Sequence, residues 1–240
     1  MQLTDFDALT FDCYGTLIDW ERGIVAAFRP WLTQQGVDAD DDRILDAFSR
    51  AEGPEQEATP GLRYPDLLAR VHATMSREFG LEPDPGAGRA FGASVGAWPA
   101  FPDSADALGY LKRHYKLVIL SNVDRGSFAL SNRKLGVAFD LICTAEDVGS
   151  YKPDPRNFAY LLERMAELGI ARERILHTAE SLHHDHVPAK RAGLATCWIH
   201  RRHAKGGFGA TRVPDVDVAP DFRFTSMAEL AEAHRRESGS

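Results

Sequence analysis

Nothing in this sequence approaches the roughly 18 to 20 consecutive apolar residues of a membrane-spanning helix, and the opening MQLTDFDALTF has no basic stretch followed by an apolar run. A cytoplasmic protein with no membrane partner is therefore the expectation. Basic residues are the minority, Lys+Arg 28 against Asp+Glu 35, for a formal charge of -7. Without a basic surface to follow a phosphate backbone, nucleic acid is not expected as a partner. Cysteine is scarce: Cys13, Cys143 and Cys197 are odd in number and far apart, which speaks against a disulfide framework and against a cysteine zinc site. Repeats and low-complexity tracts are absent. What is present is an ordinary globular composition, 240 residues of which 44% are hydrophobic, enough for one large domain or one domain carrying an insertion.

Short apolar runs ending in polar residues mark buried parallel strands feeding loops at their carboxyl ends. Ala8-Leu9-Thr10-Phe11 stops at Asp12, Lys116 to Leu120 stops at Ser121-Asn122, and Arg174 to Thr178 stops just before Glu180. Shorter strands are predicted at 141 to 143, 195 to 199 and 221 to 224. Helical patterns at 103 to 114, 127 to 135, 155 to 168, 185 to 192 and 226 to 236 alternate with them. This order predicts an α/β fold, a Rossmann-like parallel sheet with ligands outside the carboxyl ends of its strands. Four amphipathic helices without a strand, at 21 to 35, 41 to 52, 64 to 79 and 86 to 96, interrupt the alternation. They predict a helical cap over 19–97 inserted into a core of 1–18 and 98–240.

The sharpest chemical signal is Phe11-Asp12-Cys13-Tyr14-Gly15-Thr16-Leu17: a carboxylate at a strand end, a glycine turn, then a hydroxyl. Further along the chain follow Ser121-Asn122, Lys152 in Ser150-Tyr151-Lys152-Pro153-Asp154, and Glu180 to Asp185. A carboxylate nucleophile needs donors and a cation to balance the charge that moves to a leaving group, and these side chains are that set. With these stations in this order, essentially the whole chain resembles the haloacid dehalogenase superfamily. The resemblance implies Asp12 as nucleophile, Thr16, Ser121 and Asn122 as donors, Lys152 as electrostatic partner and Asp185 as its orienting carboxylate.

Phosphatases of that superfamily carry a second aspartate two residues after the nucleophile, where this chain has Tyr14. Tyr14 instead resembles the branch of the L-2-haloacid dehalogenases, which displace a substituent from carbon 2 of a small carboxylic acid and hydrolyse the resulting aspartyl ester. The pattern departs from that branch in places. The cap arginine that helps receive halide there has Ser49 at the nearest register, with Arg50 next to it, and Phe158, Glu180 and Leu182 stand where that branch has tyrosine, serine and asparagine. The segments 10 to 21, 98 to 103 and 178 to 186 look closest to a subgroup that includes azetidine-2-carboxylate hydrolases, in which a ring amine replaces halide. The expectation is thus a cofactor-independent hydrolase, opening azetidine-2-carboxylate to a 2-hydroxy acid, with (S)-2-haloacid dehalogenation as the alternative. A magnesium phosphatase and a non-catalytic binding protein are weaker readings, the last disfavoured because Asp12 and Lys152 are both retained. Tyr14, Asp19, Trp20, Trp98 and Glu180 are candidate substrate-binding residues, with Asp19 or Glu180 facing the amine. The cluster His183-His184-Asp185-His186 invites a metal reading, but consecutive residues seldom converge on one ion, and no metal site is expected there. A homodimer is left open.

Overall fold

The protein, a computed structural model described over residues 1–239, is built on six parallel strands. They are β1 (Ala8–Phe11), β2 (Lys116–Ser121), β3 (Leu141–Thr144), β4 (Ile175–Ala179), β5 (Ala195–Ile199) and β6 (Phe222–Phe224), in the spatial order β3-β2-β1-β4-β5-β6. Every predicted strand is present, displaced by no more than one residue at either end. Burial on both faces makes the central strands read as continuous apolar runs. Their alternation nevertheless sorts the side chains: Leu9, Phe11, Leu117 and Ile119 belong to one apolar layer, and Ala8, Val118, Leu120 and Ile175 to the other.

The chain leaves β1 towards β2 and β3, then returns to place β4 on β1's other side. The carboxyl ends of β1 and β4 therefore flank the point where strand order reverses, the crevice in which open α/β sheets bind ligands. Asp12 follows β1 there, and Glu180 follows β4.

Helices α1 (Trp20–Gln34), α2 (Asp41–Ala58), α3 (Tyr64–Glu78) and α4 (Pro85–Ala93) occupy the strandless segment. Phe28 of α1, Phe48 of α2, Met75 of α3 and Phe91 of α4 are buried in an apolar cluster that runs on without a break into the sheet layer holding Leu9 and Phe11. The remaining helices are α5 (Ser104–Leu111), α6 (Arg125–Leu135), α7 (Ala145–Val148), α8 (Pro155–Glu167), α9 (Val187–Arg191) and α10 (Met227–Ser238).

Three local features differ from the sequence reading. The one-turn α7 is missing from it, although Thr144 and Asp147 form a reciprocal capping box. The segment predicted to begin a helix at 185 is instead a wide π turn over Leu182–His186 followed by α9. Most consequential, α2 does not stop at Gly53-Pro54 but continues to Ala58. Proline clashes with the residue before it in helical geometry; here that residue is glycine, which has no Cβ to clash.

Glycines also set how closely the cap helices approach. A Cβ on Gly92 of α4 would lie 2.1 Å from the Pro65 carbonyl oxygen of α3, and one on Gly88 would lie 3.1 Å from that of Ala69. Gly92→Ala is expected to lower stability by about 1–3 kcal/mol through overpacking, read as a reduced urea midpoint at unchanged slope.

Candidate active site

The crevice holds one buried ammonium and two buried carboxylates. Lys152 Nζ donates to Asp12 Oδ1 at 2.9 Å, to Asp185 Oδ1 at 2.6 Å and to the Leu120 carbonyl at 2.9 Å. An ammonium has three donors, so Lys152 is saturated. It has no donor left for a ligand, toward which only its field would act. Burial alone would lower the Lys152 pKa, but the two carboxylates outweigh it and raise it, so the charge is permanent. Burial pushes the Asp12 carboxyl up against the pull of Lys152, whereas for Asp185 the pull of Lys152 and His177 overcomes burial and holds the carboxyl far below its usual range.

The supports of this triad come from the sheet itself. Thr10 and His177 face each other in the β1–β4 register, with Thr10 Oγ1 2.8 Å from His177 Nδ1. The other ring nitrogen, Nε2, lies 3.0 Å from Asp185 Oδ1. A carboxylate only accepts, so Nε2 carries the proton. On the opposite side of Asp12, Thr16 Oγ1 donates to Oδ2 at 2.9 Å and accepts from the Glu180 backbone N–H at 2.9 Å. The Thr16 carbonyl is gripped in turn by the guanidinium of Arg201 at 2.8 and 3.0 Å.

Of the three sequence-predicted donors, only one is uncommitted. Ser121 Oγ is buried, has no hydrogen-bond partner among the described residues and lines the cavity over Asp12. Thr16 is committed to Asp12. Asn122 is committed to the backbone of Lys152: its amide nitrogen donates to the Lys152 carbonyl at 3.0 Å, and its oxygen accepts from the Lys152 N–H at 2.6 Å. Asn122 therefore positions Lys152, although it also borders the cavity.

The predicted substrate-binding residues divide similarly. Trp20, Tyr14 and Glu180 line the cavity. The Tyr14 hydroxyl turns away to Ser131 Oγ at 2.8 Å, leaving its ring as wall. Trp98 is not part of the lining; it packs edge-on behind Tyr14 at 5.8 Å between ring centroids, because Gly23 lets α1 close against it. Asp19 lies outside too, its carboxylate accepting from the Arg22 N–H at 3.2 Å as the N-cap of α1. Arg50, beside the register position of Ser49, points outward and pairs with Glu78. Phe158 sits under the sheet against the His177 ring.

The cap contributes Glu52 and Gln56 of α2, which the sequence reading did not single out, together with Tyr64 at the start of α3. Glu52 Oε1 accepts from the Tyr64 hydroxyl at 2.8 Å, and burial pushes the Glu52 carboxyl up to about 7. Glu180, whose Oε2 accepts from Thr211 Oγ1 at 2.8 Å, is pushed up to about 8, again by burial. A signal for the first two existed. Ile44, Phe48, Glu52 and Gln56 fall at four-residue intervals on the buried stripe of α2, so two polar side chains lie on an inward face.

Among the described residues Lys152 is the only cationic side chain in the lining, since burial lowers His184 to about 3 and keeps it neutral. The enclosed space, counted as positions open to the centre of a water molecule, is ≈ 30 Å³. One water needs on the order of 10–15 Å³ by such a measure, so the site suits a ligand of few atoms. Among the described residues no three His, Cys, Asp or Glu side chains surround a common ion position. His186 bonds the Ala179 carbonyl, His184 contacts Ser181, and His183 borders a neighbouring groove.

A loop from Arg201 to Arg212 straps cap to core. Arg202 pairs with Glu21 of α1 at 2.6 Å, Arg212 with Glu57 of α2 at 2.9 Å, and Thr211 holds Glu180 between them.

Comparison with known proteins identifies the family. Residues 6–193 match the family described as haloacid dehalogenase-like hydrolase. The (S)-2-haloacid dehalogenase of Pseudomonas putida is 27% identical over 242 residues, covering 95% of this chain and 96% of that protein. Pyrimidine 5'-nucleotidase YjjG of Escherichia coli (strain K12) is 29% identical over 136 residues, 55% of each chain. The crystal structure of the defluorinating L-2-haloacid dehalogenase Rha0230 superposes with a TM-score of 0.77 at 23% identity, covering 98% of both chains, a likeness of fold.

Two measurements check the electrostatics. Lys152→Met leaves Asp12 and Asp185 buried without a counter-ion and is expected to cost about 3–5 kcal/mol, seen as a collapse of the urea midpoint. Folded Glu180 keeps its proton up to about 8, whereas an ordinary carboxyl loses it near 4.5, so unfolding releases a proton between those values. Stability should therefore fall as pH rises through that window, and Glu180→Gln should flatten the fall when denaturation is compared at about pH 5 and about pH 8.

Proposed function

We propose, for a chain that belongs to the haloacid dehalogenase-like hydrolases, that it displaces a leaving group from carbon 2 of a small carboxylic acid through an ester on Asp12. The observation that carries this reading is the Asp12 carboxylate between Lys152 and Thr16 at the cavity, beside a buried Ser121 hydroxyl with no partner among the described residues. An Asp12 oxygen attacks carbon 2 from the side opposite the leaving group and inverts that centre. Water then attacks the Asp12 carbonyl carbon, so the carbon 2 configuration is untouched and the product is the inverted 2-hydroxy acid. Lys152 stabilises the carboxylate before attack and again on its release, while Asp185 and Asn122 keep the lysine in place. Ser121 and Gln56 supply donors for the substrate carboxylate.

Halide is the leaving group with most support, because relatives named (S)-2-haloacid dehalogenase match nearly the full chain. A second reading, ring opening of azetidine-2-carboxylate, is favoured by one observation: no arginine among the described residues lines the cavity. Phosphatase chemistry, as in the nucleotidase relative, is disfavoured because Tyr14 offers no carboxylate and its hydroxyl faces Ser131.

Asp12→Asn is expected to reduce turnover by a factor on the order of 10⁴ or more without unfolding the protein. In heavy-oxygen water, a single turnover of (S)-2-chloropropionate should place the label first in Asp12 and give unlabelled (R)-lactate. Label appearing directly in the product would refute the ester. Turnover is also expected to persist in EDTA, because Lys152 supplies the positive charge.

A further inference from the structure

The turn that brings Thr16 to Asp12 is held from behind by a cation that lies outside the catalytic cavity. Arg201 follows β5 by two residues, and its side chain is 9% exposed. Its Nε and Nη2 both donate to the Thr16 carbonyl oxygen, at 3.0 and 2.8 Å, while Nη1 donates to the two Asp103 oxygens at 2.9 Å each. The guanidinium lies over the Phe101 ring, 4.0 Å from its centroid. Asp103 also accepts from the Ala228 N–H at the start of α10, at 3.1 Å. Burial pushes the Asp103 carboxyl up, but Arg201 more than offsets this and holds it below its usual range, so the pair is charged. With a ring beneath it and a carboxylate at one end, the planar fork has a fixed direction, and that direction fixes the Thr16 peptide.

The turn needs such an outside hold. Its own backbone bonds run from the Leu17 and Ile18 N–H groups to the Cys13 carbonyl and from the Gly15 N–H to the Ile18 carbonyl, and none of them engages the Thr16 carbonyl. Gly15, just before Thr16, has a φ of 96°, a region where glycine is the pliable residue. On its other side Thr16 meets the chemistry, its hydroxyl donating to Asp12 Oδ2 and accepting from the Glu180 N–H, each at 2.9 Å. We propose that Arg201 is a positioning residue for the reaction at Asp12: by fixing the Thr16 peptide it sets the hydroxyl against Oδ2 and so the direction in which the carboxylate faces carbon 2. This rests on the Asp12 ester reading. Arg201 touches no substrate and moves no proton, so its loss slows ester formation and leaves substrate binding alone.

The test follows turnover of (S)-2-chloropropionate by the wild type, Arg201→Gln, Arg201→Lys, Thr16→Val and the double variant of Arg201→Gln with Thr16→Val, each checked by circular dichroism and urea midpoint. Arg201→Gln should lower kcat on the order of 100-fold, the cost of a small misplacement of a reacting group, with KM nearly unchanged. Arg201→Lys should fall between, because an ammonium keeps the charge and loses the fork. In the Thr16→Val background the Arg201→Gln change should cost little more, since the side chain through which Arg201 acts is gone. Hydrogen exchange supplies a readout without turnover: the Glu180 amide, bonded to the Thr16 hydroxyl, should exchange at least about tenfold faster in Arg201→Gln while the β1 and β2 amides stay protected. Should Arg201→Gln fail to fold, Asp103→Asn, which frees one end of the guanidinium, is put through the same comparisons and should show the same pattern. Losses that multiply in the double variant, a raised KM in place of a lowered kcat, or unchanged Glu180 exchange would overturn the proposal. Heavy-oxygen label entering Asp12 of the wild type, with kcat unchanged in Arg201→Gln, removes the positioning role alone. A wild type inert to the chloride and unlabelled at Asp12 removes the ester reading and the positioning role together.

Discussion

A single buried ammonium held between two carboxylates is the constraint from which the rest of the site follows. Lys152 has to be charged, saturated and fixed, because breaking one arm of such an arrangement leaves an unpaired ion in a low-dielectric interior. The fold meets each need with a different element. The last carbonyl but one of β2 takes the third ammonium proton, Asn122 clamps the lysine backbone from both sides, and the β1–β4 register stacks Thr10 on His177 to steady Asp185. Asp12 is thus aligned by the sheet, and the loop after β1 only finishes the job through Thr16.

The carboxylic acid substrate proposed above would enter the cavity as an anion, and the charge distribution there bears on how it could do so. Asp12, Asp185 and Lys152 together carry one net negative charge, which would repel another carboxylate. Glu52 below about pH 7 and Glu180 below about pH 8 do not add to that repulsion, since burial keeps their protons on. The uncommitted donor Ser121 can then offset the substrate's charge locally. A cap arginine is one way to receive an anion; neutralised acids and a free hydroxyl are another.

Most of the core was legible in the sequence because both-face burial makes its strands apolar runs that end abruptly at functional residues. Asp12 and Ser121 announce themselves by following or joining such runs, and Lys152 by its setting in Ser150-Tyr151-Lys152-Pro153-Asp154. The cap side was harder to read. Gly53-Pro54 looks like a helix end, yet α2 runs through it, and that extra turn is what carries Gln56 to the cavity. Asn122 and Asp19 were identified as polar residues near the site, but sequence does not say which partner a short polar side chain takes. In both cases the nearest backbone won: the Lys152 peptide for Asn122, and the Arg22 N–H for Asp19. Trp98 was displaced from the lining by Gly23, a close helix approach visible only in three dimensions.

The strap from Arg201 to Arg212 has a consequence for how such proteins can be recombined. By sequence, the cap looks like a cassette that begins after β1 and ends before α5. Physically, its attachment includes a second segment more than a hundred residues later, which pairs with α1 and α2 and holds Glu180 on the way. A chimera that exchanged only the first segment would orphan Arg202 and Arg212 and misplace an acid in the catalytic cavity. The transplantable unit is discontinuous, and cap and strap have to travel together.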